Sequence, residues 1–229
     1  EEVAALATEF GLDKPLVVQY FAWIKGIFTG DLGYAYVSEK PALDEILPRI
    51  PITAKLAALA LFFSVVIGVP LGVISAVKQD SLLDYSLRVF SLSGLSLPSF
   101  WLGLLILMAF VQYLGWIPIY TDRPETFWKE VGLLSIPALA VGFRASALIM
   151  RLTRSSMLEV LRQDYIRTAR AKGASNASVN YDHALRNAVL PVITILGLQF
   201  GNVLAGAILV ETVFNWPGLG RLAFESVLR

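Results

Sequence analysis

The chain has 229 residues, 56% of them hydrophobic and only 16% charged, with a mean hydropathy of +0.64, one His and no Cys. A soluble domain carries about 25% charged residues and under 50% apolar ones, so this composition points to a membrane protein and excludes disorder, collagen and disulfide scaffolds. Nineteen basic residues nearly cancel eighteen acidic ones, so the overall charge gives no sign of nucleic-acid binding, and the lack of thiolates removes iron–sulfur, cysteine-zinc and cysteine-nucleophile chemistry.

The chain opens with a polar segment, residues 1–53. Its first fifty residues hold four basic and eight acidic side chains, and Thr8 to Arg49, with Trp23 and Phe28, reads as a small structured extracytoplasmic element. The segment begins on Glu1 without a signal peptide, so a preceding span is expected.

From residue 54 to 229 the pattern is that of a transmembrane domain. Leu56 to Val77, Val89 to Thr121 and Asn187 to Val210 are free of charge, each at least as long as the roughly 20 residues that cross a bilayer. Val131 to Met150 is interrupted only by Arg144, read here as lying near one end and snorkelling toward the headgroups. Four spans are expected, at about 54–77, 89–115, 131–151 and 187–210, giving an all-α, polytopic helical bundle. Gly68, Gly72, Gly103, Pro70 and Pro98 fall inside them and serve either close packing or kinks along a path. Ser93, Ser96, Ser99, Gln199 and Asn202 supply polarity, for a translocation path or for hydrogen bonds between helices.

Residues 144–186 contain eight basic and three acidic side chains and are expected on the cytoplasmic side, whereas the loop Asp122 to Glu130, with two basic and three acidic, is expected outside. The cytoplasmic loop, 152–186, is longer than the roughly 2 to 8 residues that join bundle helices and should carry its own structure. Met157, Leu158, Leu161, Tyr165 and Ile166 recur at helical spacing, Thr168 to Lys172 continues as a short helix stopped by Gly173, and Ser175-Asn176 offers caps for the next. A short basic helix held in this way suits docking to a groove on another protein or resting on anionic lipid. Beyond the last span, Glu211 and the rigid turn Trp216-Pro217-Gly218 fit either an outer-face contact or an interfacial anchor.

The residues of the cytoplasmic loop carry a resemblance. Asp164-Tyr-Ile-Arg-Thr-Ala-Arg-Ala-Lys-Gly173 followed by His183-Ala-Leu-Arg-Asn-Ala-Val-Leu-Pro191 resembles the loop of ABC importer permeases in the dipeptide, oligopeptide and nickel branch. Gly11 to Leu16 running on to Gly30-Asp-Leu-Gly33, Leu95-Ser-Leu-Pro-Ser-Phe-Trp-Leu-Gly103, and Glu211-Thr-Val-Phe-Asn-Trp-Pro-Gly-Leu-Gly-Arg221 resemble the same branch in the same order. Where importers in general have Glu-Ala-Ala, this chain has Arg167-Thr168-Ala169, and its spacing from Gly173 to Leu190-Pro191 is longer; both departures are similar to the peptide branch.

The resemblance implies a fold of the ABC importer permease type with six spans, four of them in this chain, one expected before Glu1 and one after Arg229. It implies that Tyr165, Ile166, Arg167, Thr168, Ala169, Arg170, Ala171, Lys172 and Gly173 form the coupling helix that sits in a cleft of an ATPase subunit. The implied partners are a second permease, two ATPase subunits and an extracytoplasmic solute-binding protein; the residue 8–49 element is expected to help seat the last, and Glu211, Trp216, Pro217 and Gly218 to touch it or the substrate. The implied function is import of peptides or a related small solute across the cytoplasmic membrane. The alternative is a non-transport membrane scaffold whose basic loop binds lipid or a signalling partner. No Gly-x-x-x-x-Gly-Lys-Ser/Thr stretch occurs, so the chain is expected to be no enzyme and to hold no cofactor, ATP being bound by the partner subunits. No His-Glu-x-x-His pair occurs, and no metal site is expected.

Overall fold

The computed structural model describes residues 13–35, 38–122 and 124–228. Gly11 and Leu12, at the head of one resemblance stretch, residues 8–12 of the expected outer element, and Arg229 lie outside the described residues. The chain divides into two compact units, one of residues 1–50 and one of 51–228.

In the first unit, α1 (Leu16–Thr29) is apolar and has no buried residue; Trp23 and Phe28 are both exposed. Gly30 ends it in the left-handed region, at a φ of 83°, with its N–H on a backbone carbonyl of the last turn. A minimal hairpin follows, β1 (Tyr34–Ala35) against β2 (Lys40–Pro41) antiparallel, with Tyr34 opposite Pro41, and then the short α2 (Ala42–Ile46).

The second unit is a helical bundle. Its long helices are α3 (Ile50–Val77), α6 (Phe127–Val160) and α9 (Arg186–Val213), with α4 (Leu82–Ser96) and α5 (Ser99–Ala109) between α3 and α6. Between α6 and α9 lie α7 (Asp164–Ala171), the single turn α8 (Asn176–Ser178) and a π-helical stretch, Val179–Leu185; α10 (Leu219–Leu228) follows α9. Three helical stretches among the described residues, ending at Val77, Val160 and Leu204, are long and apolar enough to cross a membrane. The pair Leu82–Ser96 and Ser99–Leu114 makes a fourth if it is counted as one broken span.

That pair bends the span expected at 89–115 at Pro98, one of the two prolines read as kinks. The two helices meet at 105° across Leu97-Pro98. Proline lacks the N–H of a continuing helix and pushes its predecessor into extended backbone; Leu97 has ψ 130° accordingly. The start also moves. Ser81 caps α4 by accepting a hydrogen bond from the Asp84 N–H, so Asp84 and Arg88, which precede the expected start at residue 89, belong to the helix.

Helices α3 and α6 pack at close range because both present small residues. A Cβ added at Gly68 or Gly72 would come within 2.7 Å of the carbonyl oxygens of Ser146 or Met150, and one at Gly142 within 2.6 Å of that of Ala60. Where lipid removes the hydrophobic drive between helices, such close backbone approach supplies the dispersion contacts that hold a bundle together. One core cluster gathers Leu56, Leu134, Val141, Val210, Phe214 and Trp216 from α3, α6 and the end of α9. A second gathers Val73, Ala76, Met157, Ile166, Val179, Ala184 and Ala188 around α7.

Candidate functional site

Four places in the bundle concentrate polar groups, and the first is α7. Gln163 precedes it with extended backbone, and Asp164 in its first turn and Arg170 in its last complement the helix dipole. The helix buries one side chain: Ile166 is fully buried against Val73, Met157 and Val179. Burial of an isoleucine side chain is worth about 1.5–3 kcal/mol, which is most of what holds a helix too short to be stable alone. Tyr165 accepts a hydrogen bond at 2.8 Å from Asn187 Nδ2, a second tie, to α9. The remaining face is exposed: Arg167, Thr168, Arg170, Ala171 and Lys172, with Ala169 half-buried. Arg167 makes a 3.4 Å pair with Asp164, both nearly fully solvated, so its charge stays available.

The helix stops where the sequence placed the break. Gly173 has a φ of 85°, its N–H bonds the carbonyl of Arg170, and the Ala174 N–H reaches back to Ala169 at 3.1 Å. These paired bonds close the carbonyl end of α7 and turn the chain sharply. Ser175 then caps α8, accepting from the Ser178 N–H. The ends of the expected loop 152–186 are continuous with the long helices: α6 runs to Val160, and helical backbone resumes at Asn176.

The second place sits beside this region, where an ion-pair network ties α4 to α6. Asp84 is fully buried and accepts from Arg154 Nε at 2.9 Å and Arg154 Nη2 at 2.8 Å, from the Ser75 hydroxyl, and from the Asp80 N–H at 3.0 Å. Every acceptor direction of the carboxylate is engaged, which is the condition under which a buried charge is tolerated. Arg88 approaches the same carboxylate at 3.7 Å and stacks over the Tyr85 ring. Sequence reading missed this network because charged residues were used to mark where spans end and which side their loops face, not to find partners across the bundle.

The third place is a cavity of 430 Å³ between α4, α5, α6 and α9. Ser99, Gln199 and Asn202, three of the five residues expected on a polar path, line it together, and Asn202 Nδ2 donates to Gln199 Oε1 at 2.8 Å. Ser93 and Ser96 do not line it; their hydroxyls donate back to the carbonyls of Val89 and Leu92, one helical turn earlier. Arg144 lines the cavity too. Its helix, Phe127–Val160, is longer than the span expected at 131–151, and Arg144 lies seven residues before the end of that span, on the cavity wall.

At the far end of α9, Glu211 and Trp216 are buried, with exposures of 0% and 1%. Glu211 accepts from the Thr53 hydroxyl at 2.6 Å and from the Arg221 N–H at 3.1 Å, while Thr53 in turn accepts from the Leu219 N–H at 2.8 Å. A Cβ on Gly218 would run into the Glu211 carboxylate, so only glycine lets the turn close over it. Trp216 stacks on Tyr120 with ring centroids 4.8 Å apart. These contacts give Glu211, Trp216 and Gly218 the work of shaping the turn from inside, and leave Asn215 and the half-buried Pro217 as its accessible face.

Residues 68–229 match the family model described as binding-protein-dependent transport system inner membrane component, and residues 1–57 match the model of the N-terminal part of such components. The chain is 43% identical to the dipeptide transport system permease protein DppB of Alkalihalophilus pseudofirmus, over 99% of this chain and 75% of that protein. It is 42% identical to the protein of the same name from Escherichia coli, over 100% and 75%, and 42% identical to the glutathione transport system permease protein GsiC of Pectobacterium atrosepticum, over 96% and 70%. A solved structure described as an amino acid ABC transporter with histidines is similar in fold, with a TM-score of 0.55 at 18% identity over 80% of this chain and 77% of that one.

Proposed function

The chain belongs to the family of binding-protein-dependent transport system inner membrane components, and on that premise we propose that it is the permease subunit of a peptide importer, working by alternating access with ATP hydrolysed by partner subunits. It is a multi-pass protein of the inner membrane. The relatives named for dipeptide and glutathione transport support peptides, or small molecules built like them, as the cargo. Nothing comparable favours a non-transport scaffold.

The observation that carries the mechanism is α7: a short helix whose one buried side chain, Ile166, fastens it to the ends of three other helices, while its cationic face is left free. A lever needs a firm joint and an exposed handle. In the proposed cycle an ATPase subunit grips Tyr165 to Gly173. Closure of the ATPase pair shifts α7, and the packed cluster of Val73, Met157 and Ala188 passes the shift to α3, α6 and α9, which open the path outward. A second permease chain completes the path, and an extracytoplasmic binding protein delivers cargo to the outer side. The path residues in this scheme are Ser99, Gln199 and Asn202, with Ser93 and Ser96 on its approach.

The test uses the absence of cysteine. With Ala171→Cys, an exposed position, as the only thiol of this chain, crosslinking is carried out in membranes that contain the candidate ATPase and binding-protein partners. Capture of an ATPase subunit, in a yield that changes with nucleotide, supports the reading; reaction with lipid or bulk reagent alone overturns it.

A further inference from the structure

Arg144 is the one charged side chain among the described residues that line the cavity between α4, α5, α6 and α9. Lys55 is paired with Glu130 at 2.9 Å, Arg154 with Asp84 at 2.8 Å, and Arg221 with Glu225 at 2.7 Å, whereas no hydrogen bond or ion pair of Arg144 occurs among the described residues. It lies inside the apolar stretch 131–150 of α6, where an ionisable side chain facing a cavity is a mark of function. The same guanidinium lines the 430 Å³ cavity with Ser99, Gln199 and Asn202, and that volume falls in the roughly 300–1,000 Å³ range of small-molecule sites.

The polar inventory of the cavity is specific. The guanidinium provides a planar fork of donors that matches a carboxylate. Asn202 donates to Gln199 Oε1, which leaves the Gln199 amide N–H groups and the Asn202 carbonyl oxygen for a ligand. A cation beside one free amide donor and one free amide acceptor complements a carboxylate next to a peptide unit. We propose that Arg144 receives the C-terminal carboxylate of a peptide in transit, with Gln199 and Asn202 contacting the adjoining amide. This rests on the peptide-importer reading and deepens it. The carboxylate is the one charged group every peptide presents at that end whatever its side chains. A single arginine therefore holds all of them alike, and the solvated cavity keeps the hold weak enough for release.

The experiment uses the complete importer with its binding protein, reconstituted in vesicles, and a mixture of di-, tri- and tetra-alanine as cargo. Peptide taken up per ATP hydrolysed is measured for the unmodified complex, Arg144→Gln and Arg144→Lys. The expected result is a loss of roughly tenfold in that ratio for R144Q, with binding-protein stimulation of ATP hydrolysis intact, and recovery to within about twofold of the unmodified value for R144K. An unchanged ratio for R144Q overturns the proposal. Failure of R144Q to assemble with the second permease, cured by neutralising a carboxylate of that subunit, also overturns it, because Arg144 then pairs across the interface. A fully assembled unmodified complex that takes up no peptide removes the importer reading, and the proposal with it.

Discussion

Asp84 and Arg154 stand 70 positions apart and meet through two parallel hydrogen bonds, Nε to Oδ1 at 2.9 Å and Nη2 to Oδ2 at 2.8 Å. The pair clamps the start of α4 to α6 close to the joint of α7, so the turn after α3 cannot move independently of the helix that leads into the cytoplasmic loop. Removing one partner strands a buried charge, whereas removing both does not. Arg154→Leu is therefore expected to destabilise the detergent-solubilised protein by about 3–5 kcal/mol, and the double change Asp84→Leu with Arg154→Leu by clearly less than the sum of the single changes. Thermal unfolding of the three variants measures this, and additive losses would mean that the pair is not a unit.

Ile166 is expected to be the peg of α7. Ile166→Ala leaves a cavity among Val73, Met157 and Val179, at a local cost of about 2–5 kcal/mol, and Ile166→Val about 0.5–1.5 kcal/mol. Limited trypsin digestion reads the difference at Arg167 and Arg170. The alanine variant should be cut there much faster while the rest of the bundle stays protected, and equal rates for both variants would show that α7 is held by something else.

Gly173 faces open space, so a side chain there meets no neighbour; its cost comes from the backbone. At a φ of 85° a β-branched residue is disfavoured by about 1–2 kcal/mol, and asparagine by less. Gly173→Val should therefore loosen the end of α7 and uncouple ATP hydrolysis from uptake, with Gly173→Asn nearer to the unmodified protein. Uptake per ATP in the assembled complex decides the matter; normal uptake by the valine variant counts against α7 as the coupling helix.

Thr53 joins α3 to the turn after α9 by donating to Glu211 and accepting from the Leu219 N–H. Thr53→Val leaves two buried polar groups without that partner and is expected to cost about 1–3 kcal/mol, whereas Thr53→Ser keeps both bonds and should cost little. Gly218→Ala pushes a methyl group against the Glu211 carboxylate and should cost about 1–3 kcal/mol by overpacking. Unfolding midpoints test all three, and a valine variant as stable as the serine variant would remove the structural role assigned to this network.

Much of this protein could be read from the chain alone, because the relevant properties are local. A run of apolar residues must hide from water wherever it lies, so Leu56 to Val77 and Asn187 to Val210 announce helices of the bundle without any knowledge of their neighbours. Gly173 ends α7, and Ser175 caps the next turn, through backbone geometry within a few residues of each. The order of motifs from Asp164 to Pro191 and from Glu211 to Arg221 was enough to place the chain among importer permeases. What tertiary structure alone decided is the direction each side chain faces and the partner it finds there. Asp84 lies between two expected spans in the sequence, and only the fold brings it to Arg154, 70 positions away, which neutralises it inside the bundle. Glu211 and Trp216 looked outward until Thr53, Arg221 and Tyr120 enclosed them. Arg144 was legible as a charge near a span end, but only the packing of α4, α5, α6 and α9 set it beside Gln199 and Asn202 on one cavity. Rotation about a helix axis and the angle at Leu97-Pro98 depend on how several helices pack at once. A carboxylate or guanidinium reveals its role only when the elements that solvate it are brought together.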